Sequence, residues 1–178
     1  MHIASLLCPL FLAPLALAAP ALEKRDAQTV YDDISGIDSA VQKLTAALTA
    51  YEGGILATQP VFDAAIAIHN VNRQGFADAK ATTNLTSAES KRIVQHVSDS
   101  VGVSIPAGLK VLEAKKPLFD TAQVSSVIKS TIDLLKYDHE TFSLAVGAKL
   151  SFDQVGAGVL AAGKIDASLQ AASLYYII

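Results

Sequence analysis

The 178-residue sequence contains no tryptophan, a single cysteine and a single methionine, and only 6% of its residues are aromatic. The cysteine, Cys8, lies in an N-terminal segment that we expect to be removed, so the remaining chain has no thiol for a disulfide or a nucleophile. Few aromatic rings are present to stack on bases or sugars. The composition therefore argues against a disulfide scaffold, a thiol enzyme, a nucleic-acid-binding protein and a carbohydrate-binding module.

Residues 1–18, MHIASLLCPLFLAPLALA, have the pattern of a secretory signal peptide. An apolar core of the right length ends at Ala16-Leu17-Ala18, which is a small-x-small cleavage site. Pro9 and Pro14 interrupt the run, whereas a membrane-spanning helix needs about 20 uninterrupted apolar residues. We therefore predict cleavage after Ala18 and no transmembrane segment.

A dibasic pair, Lys24-Arg25, follows the predicted signal peptide and precedes the first periodic segment. Secretory processing proteases recognise such pairs, because both basic side chains fill acidic subsites. The alternative is a pair of solvated charges near a terminus. We favour processing, so that residues 19–25 form a short pro-segment and residues 26–178 form one mature domain.

The mature chain is expected to be mildly acidic. Removal of residues 1–25 takes Glu23, Lys24 and Arg25 from the 17 acidic and 14 basic residues of the sequence, and leaves a net charge of −4. Such a chain is not expected to bind nucleic acid or an anionic bilayer. The apolar C-terminal tail, ASLYYII, is too short for a glycolipid-anchor signal. We expect a secreted, extracellular protein that is released or loosely retained at the cell wall.

Apolar residues recur at helical spacing along the whole mature chain, and no alternating strand pattern interrupts them. The segment VYDDISGIDSAVQKLTAALTAY, residues 30–51, predicts a first helix that runs from about Asp26 to Tyr51 and stops at Glu52-Gly53-Gly54. The second is predicted to begin near Ile55, or at Gln59 with Pro60 in its first turn. These features, with the three further helices described next, predict an all-α, single-domain five-helix bundle.

The third helix is expected to begin at a capping box made by Thr86 and Glu89, and Pro106 is expected to kink or divide it. The fourth follows Lys115-Lys116-Pro117, and the fifth runs from about Ser151 to Tyr175. The capping box overlaps the sequon Asn84-Leu85-Thr86. On an exposed loop of a secreted chain, we expect Asn84 to be glycosylated.

The sequence carries no recognisable catalytic signature. It lacks a Gly-x-Ser-x-Gly elbow and a phosphate-binding glycine loop, and His139-Glu140 is not followed by the second histidine of a zinc protease. His69, His96 and His139 are scattered over three predicted helices, where separate surface positions are favoured over convergence on a metal. We therefore expect no enzymatic activity, no cofactor and no metal.

The predicted core has few bulky side chains, and the last helix is rich in glycine and alanine. Such a core either packs very tightly or encloses a channel suited to an alkyl chain. Thr131 is a candidate donor for a carboxylate head group, although its hydroxyl is expected to bond to its own helix. The residues expected to contact a ligand are Ile34, Val41, Leu44, Val97, Val127, Thr131, Leu134, Ala162 and Leu169.

Several segments together resemble the fungal hydrophobic surface-binding protein family, which includes the cell-wall galactomannoproteins. These are the first helix, the segment GLKVLEAKKPLF, the segment VSSVIKSTIDLLKYDHETFSLAVGAKL and the alanine-rich last helix. The resemblance covers nearly all of the mature chain. It implies a secreted or wall-associated five-helix bundle that is not an enzyme.

The resemblance also implies two ways in which the protein acts. One is binding of fatty acids in an elongated apolar cavity, and the other is adsorption to hydrophobic surfaces, where secreted hydrolases are helped to reach their substrates. The chain has no Ser/Thr-rich stalk, which argues against covalent wall attachment. A structural mannoprotein that coats an interface without a closed pocket remains the alternative.

Overall fold

The structure, a computed structural model, describes residues 26–177. The predictions at Ala18, Lys24 and Arg25 concern residues outside this range. The described chain is helical, with no β-strand. Its α-helices are α1 (Ala27–Ala50), α2 (Gln59–Ala81), α3 (Ser87–Asp99), α4 (Val101–Ala114), α5 (Lys116–Thr121), α6 (Ser125–Gly147) and α7 (Phe152–Tyr175), and a 3-10 turn (Leu56–Thr58) precedes α2.

The all-α class is confirmed, whereas the prediction of five helices is not. One additional helix arises because the predicted third helix is two helices, α3 and α4. Another arises because the short α5 separates α4 from α6.

The division between α3 and α4 falls at Ser100, whereas Pro106 lies inside α4. Ser100 has a non-helical backbone, and both its N–H (3.0 Å) and its hydroxyl (2.6 Å) donate to the His96 carbonyl, which closes the end of α3. Pro106 removes one hydrogen bond near the start of α4 and does not end it.

The apolar stripe of α1 is buried by the rest of the same chain. Its N-cap is Asp26, whose carboxylate accepts a hydrogen bond from the Thr29 amide at 2.9 Å. The helix ends at Tyr51, and Gly53 and Gly54 follow with φ angles of 111° and 88°, which are strained for other residues. The stripe packs against α2 and α4, and its buried members are Val30, Ile34, Ile37, Val41 and Leu48.

The segment Lys115-Lys116-Pro117, at the junction of α4 and α5, covers the end of the bundle at which α1 terminates. Lys115 Nζ donates to the carbonyls of Thr49 and Tyr51, at 3.0 and 2.7 Å, and so satisfies acceptors left free at the end of α1. The buried Phe119 of α5 stacks on the Tyr51 ring, with 4.6 Å between centroids. The end of α1 is therefore held by both a cation and an aromatic contact.

The predicted capping box at the start of α3 is confirmed. Glu89 N–H donates to Thr86 Oγ1 at 3.3 Å, and Thr86 N–H donates to Glu89 Oε2 at 2.8 Å. Within the sequon, Leu85 is buried and its N–H donates to the Lys149 carbonyl, whereas Asn84 is exposed. The geometry leaves Asn84 accessible, and its glycosylation remains a prediction.

The middle of α6 is fixed to α2 through a buried carboxylate. Asp138 has no exposed side-chain surface, and its Oδ2 lies 2.6 Å from His69 Nδ1. Arg73 Nη1 approaches the other oxygen at 3.9 Å. Among residues 26–177, no helix is long and apolar enough to cross a bilayer.

Two glycine-to-alanine substitutions are expected to have opposite effects on stability. In Gly102→Ala the new methyl group would lie 2.9 Å from the Val97 carbonyl oxygen, at the junction of α3 and α4. In Gly156→Ala the methyl group would meet no atom within 4 Å. We expect Gly102→Ala to lower the free energy of unfolding by about 1 kcal/mol or more, and Gly156→Ala to raise it by about 0.5–1 kcal/mol. Urea unfolding measures both, and a stabilised Gly102→Ala variant would contradict the described junction.

Candidate functional site

An apolar groove of about 690 Å³ runs between α3, α6 and α7. This volume lies within the range of roughly 300–1,000 Å³ that is typical of small-molecule sites. The groove is open along one side, where Leu144, Val155 and Val159 expose much of their surface. The other apolar residues that line it are Ile34, Ile93, Val94, Val97, Phe142, Val146, Ala148, Leu150, Ala161 and Ala162.

The groove exists because α6 and α7 bring glycine to it. Gly147 and Gly163 both line the space, and a Cβ at either position would meet no atom within 4 Å. Gly158 has a different role, because Leu150 and Val94 pack directly over it, and a Cβ at this position would lie only 2.6 Å from Leu150 Cδ1. On α7, Gly158 therefore allows close packing of neighbouring side chains, whereas Gly163 leaves space open in the groove.

A second, inner cavity of about 90 Å³ lies between α1, α4 and α6. It is smaller than the roughly 150 Å³ apolar cavity that holds benzene in another protein. The lining is mainly aliphatic and includes Ile37, Val41, Ile105, Leu109 and Ile165. The inner cavity and the groove have five lining residues in common, which form a partition between them: Ile34, Val97, His139, Phe142 and Ser143.

His139 is the basic member of this partition. Its Nε2 lies 3.2 Å from the Ala162 carbonyl, which can only accept, so Nε2 carries the proton. The pKa of His139 is lowered, chiefly because burial disfavours the imidazolium form. The bond to Ala162 and the charges of Asp166 and Glu140 oppose that shift. In the neutral ring Nδ1 is an acceptor, with Ser143 Oγ at 3.4 Å.

Two carboxylates reach the groove beside His139. Glu140 forms an ion pair with Lys136 on the preceding turn of α6. Asp166 of α7, whose side chain is 43% exposed, forms a second ion pair with Lys136, with 3.6 Å between Oδ1 and Nζ. In the described chain, neither lysine nor arginine lines the groove or the inner cavity.

Both ends of the groove wall formed by α7 are fixed by hydroxyl–carboxylate bonds. Near its start, Ser87 Oγ donates to Asp153 Oδ2 at 2.6 Å, and this bond is the first cause of a strongly lowered pKa of Asp153. Near its end, Ser173 donates to Asp133 of α6. These bonds attach the two ends of α7 to α3 and α6, on either side of the open space.

Six of the nine predicted ligand-binding residues line this site. Ile34 and Val97 belong to the partition, Ala162 lines the groove, and Val41, Leu44 and Leu169 line the inner cavity. Val127, Thr131 and Leu134 line neither space. Val127 and Leu134 are exposed on the outer face of α6, and the Thr131 hydroxyl donates to the carbonyl of Val127 at 2.9 Å.

The sequence patterns missed the polar members of the site, which are His139, Glu140, Ser143 and Asp166. The apolar spacing of α6 contained a signal for His139, because Ile128, Ile132, Leu135, Phe142 and Val146 define an inward stripe with His139 between Leu135 and Phe142. No pattern indicated Asp166, whose position depends on how α7 packs against α6.

The three histidines of the described chain have separate surroundings. His69 pairs with Asp138, His139 faces Ala162, and His96 stacks on Tyr31 with its Nε2 at 2.8 Å from Ser35 Oγ. In residues 26–177, no group of three histidine, cysteine, aspartate or glutamate side chains is arranged to hold a metal ion.

A family model and several solved structures are similar to this chain. The model of hydrophobic surface binding protein A matches residues 27–148, which span α1 to α6. No curated protein matches the chain significantly.

The structure of AFMP4P in complex with palmitic acid is 25% identical, with a TM-score of 0.82 over 85% of this chain and 100% of that one. Ligand binding domain 1 of Penicillium marneffei MP1, complexed with arachidonic acids, is 19% identical, with a TM-score of 0.81 over 86% and 100%. Ligand binding domain 2 of MP1, complexed with multiple arachidonic acids, is 18% identical, with a TM-score of 0.80 over 86% and 97%. At these identities the two MP1 domains show the fold alone.

Acidification is expected to destabilise the fold through two partly buried histidines, His96 and His139. Burial lowers the pKa of both His96 and His139, so below about pH 6.5 the unfolded chain binds protons that the folded chain does not. The free energy of unfolding should therefore fall as the pH decreases from about 7 to about 5, by at most about 1.4 kcal/mol per pH unit for each histidine. Urea unfolding at several pH values measures this, and a His139→Asn variant should show a shallower decrease. An unchanged slope in that variant would argue against a neutral, buried His139.

Proposed function

We propose that this chain, which belongs to the hydrophobic surface binding protein A family, is a secreted, non-catalytic protein that holds the alkyl chain of a fatty acid or related lipid in the groove between α3, α6 and α7. The observation that carries the proposal is the size and apolar lining of that groove. The inner cavity behind the partition extends it towards the centre of the bundle. The palmitic acid bound by AFMP4P, which has the same fold, supports a ligand of this class.

Burial of the ligand's alkyl chain is sufficient to drive binding when that alkyl chain is long. Each methylene removed from water contributes about 0.8 kcal/mol, so ten buried methylenes contribute about 8 kcal/mol. Association costs about 4–15 kcal/mol in lost freedom of motion. A short acid is therefore not expected to be retained, whereas a long-chain lipid can bind without a cationic clamp. This agrees with the absence of lysine and arginine from the described lining.

In this proposal the residues from Asp26 onward form the functional unit. Residues 1–18 direct secretion, and cleavage after Lys24-Arg25 releases the chain at the residue that caps α1. A glycan on Asn84 would extend from the loop between α2 and α3. The contacts proposed for the alkyl chain are those of Ile34, Val41, Leu44, Val97, Ala162 and Leu169.

A bulky substitution within the groove should reduce lipid retention. Protein purified from its host is expected to carry one or more fatty acyl lipids in stoichiometric amount, as measured by native mass spectrometry. Ala162→Phe places a ring in the groove and should reduce that amount at least about tenfold, because it removes space for several methylenes.

Two variants serve as controls. Ala171→Phe adds the same ring on an exposed position of α7 outside the groove, and Thr131→Leu changes a side chain that lines neither space. Both should retain lipid as the parent protein does. Stoichiometric lipid in Ala162→Phe, or none in the parent protein, would contradict the proposed site.

Exposed apolar side chains favour a second candidate function, in which the protein coats a hydrophobic surface or the cell wall and helps secreted hydrolases to reach their substrates. On α7, Phe152 is 97% exposed and Leu160 is 70% exposed, and neither lines the groove. Exposed apolar area of this kind is typical of interaction surfaces.

The two functions are separable by substitution. The double variant Phe152→Ser and Leu160→Ser should adsorb less to polystyrene beads while it retains bound lipid, because these side chains lie outside the groove. Depletion of protein from solution by the beads measures adsorption. Unchanged adsorption would indicate that this face of α7 does not contact the surface.

A further inference from the structure

The partition between the groove and the inner cavity contains one phenyl ring, that of Phe142. The side chain is buried and lines both spaces. Two other members of the partition, Ile34 and Val97, are β-branched and therefore stiff about χ1. A third, His139, is held by its bond to the Ala162 carbonyl. The position of the Phe142 ring therefore decides how wide the passage between the two spaces is.

The ring of Phe142 is supported from behind by α2. A Cβ on the buried Gly75 would lie 3.1 Å from Phe142 Cε2 and 3.2 Å from Phe142 Cζ. The same Cβ would lie 3.2 Å from Asp33 Cβ, because α1 also approaches closely at this point. Since the interior is densely packed here, the ring has no room to retreat towards α1 or α2. A displacement away from α2 carries the ring towards the groove and the inner cavity.

The inner cavity beyond this ring is long and narrow. Its lining follows α1 from Ile34 to Leu48, which is about 21 Å along the helix axis at 1.5 Å per residue. Its volume, however, is only about 90 Å³. A space of this length and volume, with a mainly aliphatic lining, fits the end of an unbranched alkyl chain and excludes a bulky group.

We infer that Phe142, supported by Gly75, sets the length of the alkyl chain that this protein binds best. Most of the chain lies in the groove, and the ring limits how many terminal methylenes pass the partition into the inner cavity. Each methylene that passes is removed from water and adds to the affinity, whereas methylenes beyond the limit stay exposed and add little. This inference rests on the proposed function, because it assigns chain-length selectivity to the same site.

The dependence of affinity on chain length tests this inference. Delipidated protein binds a fluorescent fatty acid, which is then displaced by saturated fatty acids of about 12 to about 22 carbons, so that the series adds methylenes stepwise. Each acid is presented as a cyclodextrin complex. For the parent protein, we expect the affinity to rise about fourfold with each added methylene that is buried, and to stop rising at a limiting chain length.

Two substitutions should move this limit in opposite directions. Phe142→Leu shortens a partition side chain and keeps it apolar, so the limit should move to a longer chain. The first acid beyond the parent's limit should then bind at least about fourfold more tightly, relative to the shorter acids, than it does to the parent. Gly75→Ala adds a methyl group behind the ring and pushes the ring towards the two spaces, so the limit should move to a shorter chain.

Phe76→Leu is the matched control. Phe76 lies on α2 beside Gly75 in sequence and lines neither space, so this variant loses the same ring and should keep the parent's limit. Circular dichroism establishes that each variant is folded. The limiting chain length is the readout, because a variant that is merely less stable would bind all the acids more weakly without moving the limit.

The outcomes separate this inference from the function on which it rests. A limit that stays at the parent's chain length in either folded variant, or that moves in Phe76→Leu, would overturn the role of Phe142 and leave lipid binding standing. An affinity that rises across the whole series in the parent protein would do the same. Displacement of the fluorescent fatty acid by none of the acids would overturn the proposed function as well.

Discussion

The groove depends on one packing constraint, which is that α7 does not fill the space that its neighbours leave. Glycine at positions 147 and 163 contributes no side chain to that space, and the alanines of α7 contribute little. Polar contacts at both ends of α7, from Ser87 to Asp153 and from Ser173 to Asp133, attach the helix to α3 and α6. An apolar space that persists for these reasons is available to a lipid.

The rest of the bundle supplies the rigidity that such a space requires. The stripe of α1 is buried against α2 and α4, and the buried Asp138 links α6 to α2 through His69. The Asp138 carboxylate is buried and bonded to His69, so this contact ties the middle of α6 to α2. The wall of the groove that carries His139 and Phe142 belongs to α6, and exposed apolar side chains border the open side from both α6 and α7.

The proposed affinity for lipid resides in the walls of the groove, which are almost entirely aliphatic and act through the area that they bury. The polar members of the lining, His139, Glu140, Ser143 and Asp166, are few, and each has a partner within the protein. The polar groups therefore leave the apolar walls as the main source of binding energy in the proposed function.

The sequence by itself determined the helical class, the limits of α1 and α7 to within a residue and the capping box of α3, and it left the start of α2 open between Ile55 and Gln59. These features depend on local periodicity, on caps and on backbone conformation, which are properties of short segments. Tertiary structure decided the division at Ser100, the face of α6 that turns inward and the meeting of His139 with Asp166. Each of these depends on contacts between helices that are distant in sequence. For α6 in particular, the local apolar spacing did not decide between Thr131 and His139, and packing against α2 and α7 places Thr131 outside the site and His139 within it.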